Sequence, residues 1–177
     1  MQQQIACNNT ERALFENAMR IGGIFEADCF DKNGNKKWSD VAKNLVVNEG
    51  LNHILNVQFH GTTQVATWYV GLKKTGSPAT ANTLASHAWA EATGYTTGLR
   101  KAYTEATASG KSITNSANKA SYAISATATI SGAFVCSVTS GTSGILFCAA
   151  DFTTPRAVES GDTLEVTYTI SAADDGV

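Results

Sequence analysis

The clearest pattern in the chain is a period of two over residues 164–170, where Leu164, Val166, Tyr168 and Ile170 are apolar and Glu165, Thr167 and Thr169 are polar. That period predicts a strand with one buried and one wet face. Tyr122, Ile124, Ala126, Ala128 and Ile130 repeat it against Ala123, Ser125, Thr127 and Thr129, and predict a second strand. Turn signals rich in Gly, Ser, Asn and Asp stand at 109–111, 116–119, 139–144 and 160–162, so three or four strands should finish the chain after Thr97. A spacing of roughly ten to fifteen residues between turns favours an antiparallel β-sandwich or jelly roll.

The first half adds strands and interrupts them. Residues 24–30 read as a strand, the stretch Asp31-Lys32-Asn33-Gly34-Asn35 as a turn, and Lys36-Lys37-Trp38 as the return strand. Asn33-Gly34 is expected to supply the two positive-φ positions of a tight hairpin. The same turn resembles the opening of a calcium loop, but Lys36 stands where glycine is needed and Ala42 where a bidentate Glu should be, so no calcium site is expected. A first helix is predicted after Thr10, with Glu11 in its first turn, Leu14, Phe15, Ala18 and Met19 as its apolar stripe, and Gly22-Gly23 as its end and hinge. A second is predicted from Asn44 as cap, with Val47, Leu51, Ile54 and Leu55 on one face and Gly50 as its weak point. Thr67 to Leu72 forms an aromatic strand, and 73–97 a long ordered loop with a helical turn near 84–87. The expected fold is therefore mainly β, an antiparallel β-sandwich or jelly roll with one or two short helices. It divides into an N-terminal arm and short helix over 1–21 and a single sandwich domain over 22–177.

Composition narrows the function classes. At 177 residues the chain fits one domain whose core needs no metal or disulfide. Charged residues are only 16%, below the roughly 25% usual for soluble domains, while Ala, Ser, Thr and Gly abound. Such a surface suits repeated protein contacts. A net charge of -2 gives no broad basic field, so no nucleic-acid partner is expected, and no apolar stretch is long enough to span a membrane. The start Met1-Gln2-Gln3-Gln4 lacks a secretion pattern, which points to synthesis in a reducing cytoplasm. Cys7 and Cys29 lie far apart, and Cys136 and Cys148 flank the 139–144 turn, where two small buried hydrophobes are expected in preference to a disulfide.

Candidate chemistry is sparse. His53 and His60 stand seven apart, not at the helical spacing of a zinc pair, and read as ordinary surface or core histidines. A hydrolase would draw on His53, His60 or His87 with a serine, or on Glu91 or Glu105 with Asp151. None of these sits in a nucleophile-elbow, zinc-protease or phosphate-loop signature, so neither catalytic residues nor a cofactor are expected. Asn8-Asn9-Thr10 matches a glycosylation acceptor, which carries no weight without secretion. Trp89 with Tyr95 is the one aromatic pair beside polar residues that a glycan could use, though structural packing is the favoured role for Trp89.

The run Gly23 to Trp38 and the Asn-Leu-Val start at Asn44 are followed by Trp-Tyr-Val-Gly-Leu at 68–72, Ala-Ser-His-Ala-Trp at 85–89 and Ser-Gly-Asp-Thr-Leu-x-Val-x-Tyr at 160–168. In this order, over about 22–171, they resemble a family of small virion proteins of tailed bacteriophages. The resemblance implies a non-enzymatic particle protein, foremost a capsid cement or decoration protein. It would be made in the bacterial cytoplasm and bind the capsid exterior as a small homo-oligomer, stabilising the shell against internal DNA pressure, with the major capsid protein as partner. The alternative is a tail or head-fibre component contacting the host surface. Arg12, Leu14, Phe15, Met19, Trp89 and Tyr95 are the candidate interface residues. The N-terminal segment is expected to reach away from the sandwich and dock on a capsid subunit or a sister copy, with Phe15 as anchor.

Overall fold

The structure is a computed structural model that describes residues 19–173. In chain order its elements are β1 (Arg20–Phe30), β2 (Lys36–Lys43), β3 (Leu45–Val46), the helix α1 (Asn48–Phe59), β4 (Tyr69–Thr75), β5 (Ala90–Ala92), β6 (Lys101–Ala102), β7 (Ser112–Thr114), β8 (Ala120–Ala123), β9 (Ala128–Cys136), β10 (Leu146–Val158) and β11 (Thr163–Ala173). They build two antiparallel sheets. Sheet A has the order β2-β1-β11-β7 with β8 also on β11, and sheet B the order β3-β10-β9-β4-β5 with β6 also on β4. The expected mainly-β sandwich is what forms, and its main core lies between the sheets.

Sheet A keeps the alternation of its sequence. On β11, Leu164, Val166 and Tyr168 point inward, and on β1 Phe25, Ala27 and Cys29 do so. Phe25 pairs with Tyr168, and their rings stack at 4.4 Å. β1 starts four residues earlier than the pattern at 24–30 predicts, so Gly22-Gly23 is not a hinge but part of a paired strand, opposite Ser171 and Ile170. Close approach explains Gly23: a Cβ there would lie 2.7 Å from the ring and hydroxyl of Tyr168. Asn44, expected to cap the helix, instead accepts from Gly23 N–H at 2.6 Å and donates to the Tyr168 hydroxyl at 2.9 Å. The helix starts only at Asn48, after the short strand β3, with no side-chain cap at Val47.

Sheet B is covered on both faces. Gly132 to Cys136 and Leu146 to Ala150 are buried without a break, the signature of strands packed on two sides. One face meets sheet A. On the other, Phe134, Cys136, Leu146 and Ala149 pack beneath Leu84 and Trp89 from the segment between β4 and β5. That segment contains bends but no helical turn at 84–87. It is held by Glu49, whose carboxylate accepts from Leu84 N–H at 3.0 Å and Leu146 N–H at 2.6 Å. Arg100 fixes its far end by a two-pronged contact to Glu91 (2.9 and 2.8 Å) and by donating to the carbonyls of Val138 and Gly141. Gly50, the apparent weak point of the helix, lets α1 lie directly on β10: a Cβ there would sit 2.4 Å from the Phe147 carbonyl oxygen.

Several local expectations change. Between β1 and β2 only Gly34 has positive φ (83°), and Asp31 closes the turn by accepting from the N–H groups of Asn33 (2.8 Å) and Asn35 (2.9 Å). Two consecutive positive-φ residues occur instead at Gly110 (58°) and Lys111 (63°), where Ser109 and Ser112 exchange backbone hydrogen bonds. The run from Tyr122 to Ile130 is not one strand: β8 belongs to sheet A and β9 to sheet B, and 124–127 turn the corner. Among the described residues six strands follow Thr97, more than the expected three or four, because β6, β7 and β8 are only two to four residues long. The two sheets are tied at one edge by Asp40 of β2. Its buried carboxylate accepts from Thr153 N–H and hydroxyl, both at 3.0 Å, and from Arg156 at 2.8 Å, where β10 departs from regular pairing with β9.

Candidate functional site

The residues singled out for chemistry are dispersed. His53 is buried, its ring edge-on to Trp68 at 5.5 Å; His60 follows the end of α1; His87 stacks on Trp89 at 4.2 Å with Nδ1 3.0 Å from the Trp89 carbonyl. Glu91 is engaged by Arg100, and Asp151 by the fully buried Lys73, whose ammonium also reaches the Gly76 carbonyl. Among the described residues no three His, Cys, Asp or Glu side chains cluster as metal ligands. No described helix is long and apolar enough to cross a membrane.

The three described cysteines are free and buried. Cys148 points into the main core, donating to the Tyr168 hydroxyl at 3.3 Å, while Cys136 lies in the outer cluster against the Val138 carbonyl. They sit on opposite faces of sheet B. Burial pushes the Cys148 thiol up to about 12, and burial followed by the neighbouring Asp162 carboxylate pushes Cys29 up to about 11, so both stay protonated and inert.

Trp89 and Tyr95 do not form a surface pair. Trp89 is 4% exposed in the outer cluster, and Tyr95 is 3% exposed in the main core, edge-on to Tyr122 at 4.9 Å. Neither ring offers a face to a glycan. The Trp89 indole N–H and the Tyr95 hydroxyl have no hydrogen-bond partner among the described residues. Arg12, Leu14, Phe15 and the first helix lie outside the described residues. Met19 lies within them and is 67% exposed just before β1.

The feature that stands out is α1 and what lies beside it. Its inner side presents Gly50, His53 and Ile54 to the sandwich, while Leu51, Leu55 and Phe59, one turn apart, are 39%, 55% and 83% exposed. Half of the expected apolar stripe thus faces outward. Under the inner edge of the helix runs a groove of about 500 Å³, walled by Ile54 and Val57 of α1, Ile21 of β1 and Ile170 of β11, with Trp68 and Phe147 beneath. No periodicity in the sequence announces this groove, because its walls and floor come from at least five remote segments. Only the aromatic Trp68 and the helical pair Ile54 and Val57 hint at it.

A search among curated proteins gives no match. A family model described as "Podophage GP4 fiber I protein gp80" matches residues 41–171, which include α1 and every strand of sheet B. On that match, across most of the sandwich, the chain belongs to this family and is a structural protein of a phage virion.

Proposed function

We propose that the chain is a non-enzymatic fibre subunit of the virion, whose sandwich is a building block and whose α1 surface joins it to a second copy of itself. The observation that carries the reading is the family match over 41–171, whose description is that of a fibre protein. It favours the fibre alternative over a cement position on the capsid exterior. The polar groups are in keeping with this: Asp40, Glu49, Glu91 and Asp162 are all used in holding segments together. The stripe of Leu51, Leu55 and Phe59 gives a self-association surface. Burying each such side chain contributes roughly 1.5–3 kcal/mol before the cost of association, and repetition along a fibre multiplies weak contacts into avidity.

Two measurements test this. Antibody labelling of intact particles should place the chain on fibres, at a copy number far below that of the capsid subunits; uniform labelling of the shell would instead support the cement role. The double variant Leu55→Glu with Phe59→Glu should lower the oligomeric state of the purified chain in sedimentation while keeping its β-sheet circular dichroism. An unchanged oligomer would remove α1 from the contact.

A further inference from the structure

The groove beneath α1 is built for an apolar occupant. Its floor and walls are mainly aliphatic and aromatic; the bordering Gln58, Gln64, Glu105 and Lys111 are exposed, and Ser112 and Ser171 are hydrogen-bonded to each other at 2.6 Å. The hydroxyl of Tyr103, also in the lining, is already taken by the carbonyls of Ile113 and Tyr168, each at 3.1 Å. The interior offers a sugar or other polar ligand little beyond the ring of His53, which stands edge-on to Trp68. At about 500 Å³ the groove is within the roughly 300–1,000 Å³ that holds a drug-sized molecule, and so admits a few large side chains.

The chain itself delivers such side chains to this place. β1 begins at Arg20 and its second residue, Ile21, is part of the wall, so the described chain begins beside the groove; residues 1–18 precede it in sequence. They carry Leu14, Phe15 and Ala18, which with Met19 repeat at helical spacing. A helix up to Met19 followed by the strand would put Phe15 within about 13 Å of Ile21, and an extended connection within about 20 Å. α1 is about 18 Å long, so either reaches the groove. The rim residues Glu105 and Lys111 have opposite signs, as do Arg12 and Glu16 beside the apolar pair.

We propose that the groove is the docking site of the chain's own N-terminal segment, residues 10–18, which seats Leu14 and Phe15 against Ile54 and Val57 of α1. This inference does not depend on the fibre assignment, and its test needs only the purified full-length chain.

Hydrogen exchange of the full chain should show residues 11–18 and the second half of α1 protected. Phe15→Asp should abolish the first protection and speed exchange in α1 by at least about tenfold, while β9 and β10 exchange as before. An apolar dye should bind the variant and not the parent, and a synthetic peptide of residues 8–19 should displace it. If β9 and β10 show that Phe15→Asp has unfolded, Phe15→Ser carries the same comparison. Unprotected exchange of 11–18 in the parent, or α1 exchange and dye binding that do not differ between parent and variant, would overturn the proposal. Protection lost on dilution together with a dimer would overturn it too, by placing the segment on a sister copy.

Discussion

Sheets A and B have the same antiparallel chemistry but are buried differently, and the difference decides where each is fragile. Sheet A has one wet face: Ile24 and Val41, 40% and 59% exposed, stand beside Glu26 and Lys43 on its outside. Sheet B has none at its centre. Its outer side is roofed by the β4–β5 segment, with Phe134 lying across Gly71, beneath Trp89 at 5.9 Å and the Arg100 guanidinium at 5.2 Å. A segment without helix or strand there acts as a third layer, because Glu49 satisfies its Leu84 N–H, which a loop over a core would otherwise leave unpaired, and Arg100 holds its far end through Glu91.

The sharpest way to break this contrast is Phe134→Ala. If the outer cluster is a true core, the change should cost about 3–5 kcal/mol in urea unfolding. A loss below about 1 kcal/mol, the range of partly exposed sites, would mean the roof is not packed as described. Gly50→Ala comes next. Helix propensity alone would make it stabilising by about 1 kcal/mol, whereas contact with the Phe147 carbonyl should make it destabilising by about 1–3 kcal/mol. The sign of the change in melting temperature decides between them.

Acid should act on the ties between the elements. For Asp40 burial by itself would raise the carboxyl, but the hydrogen bonds from Thr153 and Arg156 outweigh it and hold it below the usual 3.8. Asp162 behaves alike, burial being outweighed by Lys37 and the Glu159 N–H, again to a value below 3.8. A carboxylate depressed in the folded state contributes stability that is complete above its unfolded value and is lost as pH falls through the folded one. Stability should therefore stay level above about pH 5 and fall below about pH 4. Asp40→Asn should be less stable at neutral pH, with a shallower acid slope; an unchanged slope would show that Asp40 is not a tie. The smallest effect belongs to the wet face of sheet A, where Val41→Thr should shift stability by no more than about 0.5 kcal/mol. A larger loss would reveal a partner covering that face.

What was legible in the chain was whatever a strand or turn declares through its own neighbours. The alternation at 164–170 became β11, and the Asn-Gly turn joined β1 to β2. The candidate site was much less legible. Trp89 and Tyr95 were the aromatic pair a glycan or partner could have used, with packing the favoured role for Trp89, and tertiary packing buried both in different clusters. Asn44 had the chemistry of a cap, and the strand β3 drew it to Gly23 and Tyr168 instead.

The sequence by itself thus determined the period of each strand and the side of it that turns inward, because adjacent side chains on a strand point to opposite faces whatever else the chain does. Only the tertiary structure decided whether the second face is wet or roofed, where the run from Tyr122 to Ile130 changes sheets, and which remote residues wall the groove beneath α1. Those outcomes depend on segments far apart in the chain meeting in space: Glu49 with Leu146, Asp40 with Arg156, Ile21 with α1. No local pattern of apolar and polar residues encodes which of many distant segments will supply the cover.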